Sequence, residues 1–160
     1  MSEMSKIVRS ISNLLLPFIL IYGFYIILHG HLTPGGGFQG GAVVASGLVM
    51  VLVAYGSERF ASWVKEKHLS VLESIGALGF ISLAFLGLST AFFYNFLAGK
   101  GGLFGDIPPE GSNPGALNTA GTLPLMNLAV GLKVIAGLAS IVLVMGLASH
   151  YFKQGGENDT

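Results

Sequence analysis

Four long apolar stretches alternate with short polar or glycine-rich ones along the chain, and that alternation predicts an all-helical protein. The first stretch runs from about residue 11 to 29, and the third and fourth cover about 69–97 and 123–149. Each can supply the roughly 20 residues that a helix needs to cross the hydrocarbon of a bilayer. Pro17, placed early in the first stretch, is expected to end or kink its first turn. The second stretch, 42–55, is too short to span unaided and becomes long enough only as a helix of about 38–56 that begins near Phe38. Part of the glycine-rich stretch before it would then lie at membrane depth. Irregular backbone is tolerated there only where protein buries it or it lines a wet cavity. The third stretch is long enough to tilt or to project beyond the lipid. A loop at 98–121 holds Lys100, Asp106, Glu110, Pro108, Pro109 and Pro114, and the tail 154–160 is polar and expected to fray. The predicted fold is a single polytopic membrane domain over 1–160, a bundle of about four transmembrane helices.

Composition strengthens this picture. Hydrophobic residues make up 52% of the 160 and charged ones only 10%, against about 25% charged in a soluble domain. A water-soluble surface with so few charges would carry large apolar patches. The net charge is zero, so nucleic acid is not an expected partner. With no cysteine the chain has no disulfide, cannot ligate an iron–sulfur cluster through thiolates and lacks Cys-type zinc sites. Any nearby redox chemistry would belong to another chain. Lys6 and Arg9 before an apolar run imitate a secretion signal, but the run is longer than the usual ~7–15 residues and ends in Leu28-His29-Gly30-His31 with no small-residue cleavage pattern. It is therefore expected to be retained.

The basic residues sort by loop. Lys6, Arg9, Arg59, Lys65, Lys67 and Lys153 fall on one side of a four-span arrangement, and Lys100 is alone on the other. The positive-inside rule then predicts both termini in the cytoplasm, with Tyr55 and Trp63 in the interfacial aromatic belt.

Few residues could carry chemistry. Lys133 sits about ten residues into the fourth stretch, with Ala136, Gly137 and Ser140 on its helical face. An ammonium there costs about 2.5–3.5 kcal/mol on insertion scales. It is either a charged group on an ion path or a lysine that snorkels to the interface. Glu73 is expected near the cytoplasmic start of the third helix, as an interfacial carboxylate or a proton or cation relay. Its apparent depth differs from that of Lys133, so the two are not expected to touch. His29 and His31 flank Gly30 at the outer end of the first helix, suited to proton transfer or to interfacial hydrogen bonding. Two histidines without carboxylate or thiolate company make a poor metal site. Asn95, Asn118, Asn127 and Ser82 are expected to form interhelical hydrogen bonds. With no catalytic set or metal cluster, the chain is expected to be neither an enzyme in itself nor the holder of a bound cofactor.

The stretch Pro34-Gly35-Gly36-Gly37-Phe38-Gln39-Gly40-Gly41 satisfies G-x-G-x-x-G, but a dinucleotide site needs a preceding strand and a βαβ unit, and an apolar helix precedes it here. Its glycines can instead make a tight turn or let backbones approach, and Gly36/Gly40 and Gly37/Gly41 repeat at helix-packing spacing. From His31 to Gly41 the sequence resembles the MnhB/MrpB family, one of the small membrane subunits of the multisubunit Mrp-type (Mnh) sodium/proton antiporters, and Gly131-Leu132-Lys133-Val134 resembles that family's fourth helix. The resemblance implies a subunit of a hetero-oligomeric complex in the cell membrane. It implies a role in sodium translocation or sodium/proton exchange at a subunit interface, with Na+ and H+ as the transported ions. The same module occurs in archaeal membrane-bound hydrogenases and related sulfur-reducing complexes. An assembly subunit of a redox-driven ion pump, with no ion path of its own, is the competing expectation.

Overall fold

The computed structural model describes residues 4–32, 34–88, 90–107 and 115–158. Thr33 of the glycine motif and Pro108, Pro109, Glu110 and Pro114 of the long loop lie outside them. Five helices and no named strand form among the described residues: α1 (Lys6–Leu28), α2 (Gly36–Tyr55), α3 (Ser57–Trp63), α4 (Glu66–Leu86) and α5 (Leu123–Asn158). Four of them, all but α3, are long and apolar enough to cross a membrane, α5 over Leu123–Ser149.

The helices stand in the lateral order α1, α2, α5, α4, with α3 folded under α2 and α5. Half of the apolar stretch of α2 is buried inside the chain, against 17% for α1 and for α4. Hence α2 is an inner helix, while the two edge helices turn most of their apolar side chains outward. The tightest core gathers where α2, α3, α4 and α5 meet, around Leu52, Phe60, Leu69, Ala139 and Leu143. Ser57 Oγ donates to the Gly146 carbonyl at 3.3 Å, and Met4 N–H donates to the Ala54 carbonyl at 3.1 Å. The start of α1, the short α3 and the later turns of α5 therefore share one end of the molecule. The described residues of the α1–α2 turn and of the segment 87–122 share the other.

Several helix limits differ from those expected. α1 starts at Lys6, where the Ser5 side chain accepts from Val8 N–H at 3.5 Å, so Pro17 falls in its interior and the helix runs on through it. α2 starts at Gly36, two residues before Phe38, which makes it 20 residues long, enough to span. Gly35, at φ 101°, takes the left-handed conformation that a side chain would oppose and so sets the entry. The backbone of α5 stays helical past Ser149 into the polar tail, since no proline interrupts it and leaving the hydrocarbon does not force a helix to stop.

The largest difference is in the third apolar stretch. α4 stops at Leu86, and the chain doubles back instead of continuing to residue 97. Phe93, at φ 63°, donates its N–H to the Ala84 carbonyl at 3.2 Å, and its ring meets that of Phe80 at 5.7 Å. A helix over 69–97 would overrun the roughly 30 Å hydrocarbon layer. Folding back shortens the span and packs Phe93 against Phe80, while Leu88, Phe92 and Tyr94 stay exposed.

Asn95 and Asn118 tie the described stretches 90–107 and 115–122 together, in place of the interhelical bonds expected of them. Asn95 Oδ1 accepts from Thr122 N–H at 2.9 Å, and its Nδ2 donates to the Ala120 carbonyl at 2.9 Å, tying the segment to the start of α5. Asn118 Oδ1 accepts from Phe104 N–H at 2.6 Å, and its amide donates to Asp106 Oδ2 at 2.7 Å. Asn95→Ala is expected to strand the Thr122 and Ala120 groups at a cost of about 1–3 kcal/mol. Faster limited proteolysis across 98–107 in the purified protein checks this, with the four spans left uncut.

Candidate functional site: an intramembrane ion pair on a glycine-packed helix contact

Glycines bring the helix backbones together. A β-carbon at Gly40 would lie 2.7 Å from the Gly23 carbonyl oxygen and 2.6 Å from Ile27 Cγ1, so this glycine is needed for the contact of α2 with α1. On the neighbouring stripe, a β-carbon at Gly37 would run into the Asn127 backbone carbonyl, and one at Gly41 would lie 2.9 Å from the Gly131 carbonyl oxygen. Gly40 thus serves the contact with α1, and Gly37 and Gly41 serve that with α5, while Gly36 meets both the Asn127 side chain of α5 and the Gly30 carbonyl just after α1. The close approach that small residues permit supplies the packing attraction that hydrocarbon solvent cannot. Phe38 and Gln39, between the glycines, are exposed. Pro34 lies exposed in the turn before them.

The contact of α4 with α5 follows the same rule. A β-carbon at Gly76 would sit 2.8 Å from Lys133 N and 2.7 Å from the Ala129 carbonyl oxygen. One turn before Gly76 stands Glu73, and one turn after Lys133 stands Gly137, where a β-carbon would meet the Glu73 carboxyl carbon at 3.5 Å, an ordinary contact. Lys133 Nζ donates to Glu73 Oε1 at 3.0 Å. The expectation that these residues would not touch is corrected. It placed the start of the third helix near residue 69, leaving Glu73 at the interface, whereas α4 starts at Glu66 and carries Glu73 about two turns inward. The antiparallel crossing at Gly76 then brings it level with Lys133.

The pair is not enclosed by this chain. The Lys133 and Glu73 side chains are 48% and 41% exposed, and both lie inside spans. Beside them, toward the 87–122 segment, a shallow apolar groove of about 380 Å³ runs between α4 and α5, lined by residues such as Gly76, Gly79, Leu83, Leu128 and Leu132. Charge facing hydrocarbon is costly even when paired. The arrangement requires another protein surface, or water that such a surface retains, against this face.

His29 and His31 lie at the far end of α1, away from the pair. His29 ends α1, its N–H donating to the Tyr25 carbonyl at 2.9 Å and its ring 4.2 Å from that of Tyr25. His31 tucks beneath the 87–122 segment, 6.5 Å from the Phe104 ring, and both of its ring nitrogens are buried without a hydrogen-bond partner. The Asn127 side chain abuts Gly30 and Gly36, six residues from Lys133 or about 9 Å along α5. α2 and α5 separate the edge helix of the histidines from that of Glu73. Gly76, at the crossing point, carried no sequence signal beyond being a glycine in an apolar run. Among the described residues, no group of three or more His, Cys, Asp or Glu side chains could hold a metal ion.

Comparison with known proteins gives the family and fold this chain resembles. Residues 7–140 match the family described as a domain related to the MnhB subunit of Na+/H+ antiporters. An uncharacterised protein of Methanocaldococcus jannaschii is 35% identical over 145 residues, which are 89% of this chain and 53% of that protein. A putative antiporter subunit mnhB2 of Staphylococcus aureus is 34% identical over 58 residues, 36% of this chain and 41% of that one. A chain in the structure of the membrane-bound sulfane sulfur reductase, an archaeal respiratory membrane complex, superposes with a TM-score of 0.73 at 30% identity, covering 90% of this chain and 59% of that chain. This chain thus spans roughly half the length of the relatives it matches.

Proposed function

The chain belongs to the family related to the MnhB subunit of Na+/H+ antiporters, and we propose from that premise that it is a membrane subunit of a hetero-oligomeric antiporter module in the cell membrane, contributing to Na+ translocation or Na+/H+ exchange where it meets a partner subunit. The half-exposed Glu73–Lys133 pair carries this reading. An intramembrane carboxylate that an ammonium neutralises can release its partner when a cation or proton arrives, so the pair is a place where charge can be exchanged without leaving a bare ion in lipid. Its exposure fits a path completed at an interface rather than one enclosed by this chain. In this role the chain catalyses no covalent chemistry and holds no bound cofactor, with Na+ and H+ as cargo. His29 and His31 would serve proton passage at the outer mouth, below the 87–122 segment. The six basic residues at the α3 end support a cytoplasmic location for both termini.

The test is Glu73→Gln in a strain lacking the native chain, with Na+-dependent proton movement followed in everted vesicles. The expected result is less assembled complex, since the Lys133 ammonium loses its partner, and an exchange rate per assembled complex that falls about tenfold or more, the equivalent of about 1.4 kcal/mol or more in activation free energy. Undiminished exchange in the assembled variant overturns the assignment.

One observation favours a second reading. The pair is already closed at 3.0 Å, which suits a static tie between α4 and α5 in an assembly subunit with no ion path of its own. Such a subunit would equally suit a redox-driven ion pump, and the structural relative lies in an archaeal respiratory membrane complex.

A further inference from the structure

At the end where α1 begins, Lys6, Arg9, Ser10 and Asn13 fall at i, i+3, i+4 and i+7, on one face of the first two turns. With Tyr55 at the end of α2 they line an open groove of about 320 Å³. Asn13 Nδ2 donates to the Tyr55 hydroxyl at 2.7 Å and so orients the ring. The guanidinium carbons of Arg9 and Arg59 lie 6.0 Å and 5.6 Å from the centre of that ring, and Arg59 also lies 5.6 Å from the Trp63 ring. These aromatic faces gather cations from α1 and α3 at one spot. Glu58 is the carboxylate of α3, so Lys6, Arg9 and Arg59 leave the cluster with a positive balance.

On the neighbouring face of the same helix Ile7, Ile11, Leu14 and Phe18 are exposed, as is Trp63 on α3. A cationic, hydrogen-bonding groove beside an apolar wall, at the membrane end of the helices, matches an amphipathic anion. We propose that this groove binds the phosphate of an anionic phospholipid from the adjoining leaflet, with an acyl chain along the outer face of α1. A free phosphate would use the cations and leave the apolar wall without a role.

The assembled complex, carrying the full chain, is placed in nanodiscs of equal phosphatidylglycerol and phosphatidylcholine, extracted into mild detergent and assayed by native mass spectrometry for retained lipid. Each cation beside an anionic headgroup is worth about a fivefold preference. The expected result is selective retention of phosphatidylglycerol by the wild type and its loss in K6Q/R9Q/R59Q. K65Q/K67Q, which removes cations of the same loop outside the groove, should leave retention unchanged. Should the triple variant not assemble, R59Q alone reads the same ratio, with a fall of about fivefold expected. Four outcomes overturn the proposal: equal retention in wild type and variant, an equal loss in K65Q/K67Q, displacement of the lipid by millimolar inorganic phosphate, and crosslinking of Ser10→Cys to a segment of a partner subunit that covers the groove.

Discussion

Lys133→Met alone should lower the amount of assembled complex, and the double variant Glu73→Gln/Lys133→Met should restore it without restoring exchange. Removing the ammonium leaves the Glu73 carboxylate without its 3.0 Å partner inside a span. Breaking a buried pair from one side costs about 3–5 kcal/mol, whereas replacing both charges by neutral groups is often close to neutral. On the proposed function a partner surface buries the pair, so the single variant should lose most of the complex recovered by affinity purification. The double variant has no bare ion and a smaller packing defect. If the pair moves ions, exchange stays absent in that well-assembled complex. If it is a static tie, assembly and exchange return together. The cycle therefore separates the two functional readings through two measurements on the same membranes.

Gly37→Val should remove the chain from the complex altogether. A β-carbon at Gly37 collides with the Asn127 carbonyl, which is helix backbone and cannot rotate away. The helices α2 and α5 would have to separate along the inner seam of the molecule. Overpacking of this kind costs about 1–3 kcal/mol where side chains can yield and more where they cannot. Membrane-fraction immunoblotting should show little chain, and pull-down of any tagged partner should recover none. Gly79→Ala is the control, because its β-carbon would meet only Ala129 Cβ at 3.6 Å, an ordinary contact. It should accumulate normally. Normal assembly of Gly37→Val would mean that α2 and α5 are not packed as described. Together with Glu73→Gln, Asn95→Ala and the lipid-retention assay, these substitutions test the site, the seams and the cap separately.

How much was legible in the sequence depended on which physical property carried each feature. The transfer of a segment into lipid is a property of the segment itself, so four spans were readable from hydropathy. The sorting of basic residues to one end was readable in the same way. The glycine repeats announced close helix packing, because only a missing side chain permits it. Which stripe met which helix could not be read, since Gly40 and Gly37 are chemically identical. Their partners differ because α2 stands between α1 and α5. The third apolar stretch misled for a related reason. Hydropathy does not distinguish a long helix from a spanning helix followed by apolar chain folded back upon it, as Phe93 is against Ala84 and Phe80.

By itself, then, the sequence determined that this protein lives in a membrane, crosses it four times, keeps its charges at the span ends with Lys133 and Glu73 as exceptions, and carries a glycine motif of the MnhB-related kind. Those are local or additive properties, decided by each segment against its solvent. Tertiary structure alone decided that the two exceptions are one ion pair. The pairing depends on where α4 begins and on the crossing point at Gly76. These quantities arise only when two helices meet. The same contact leaves the pair half-exposed at the side of the chain.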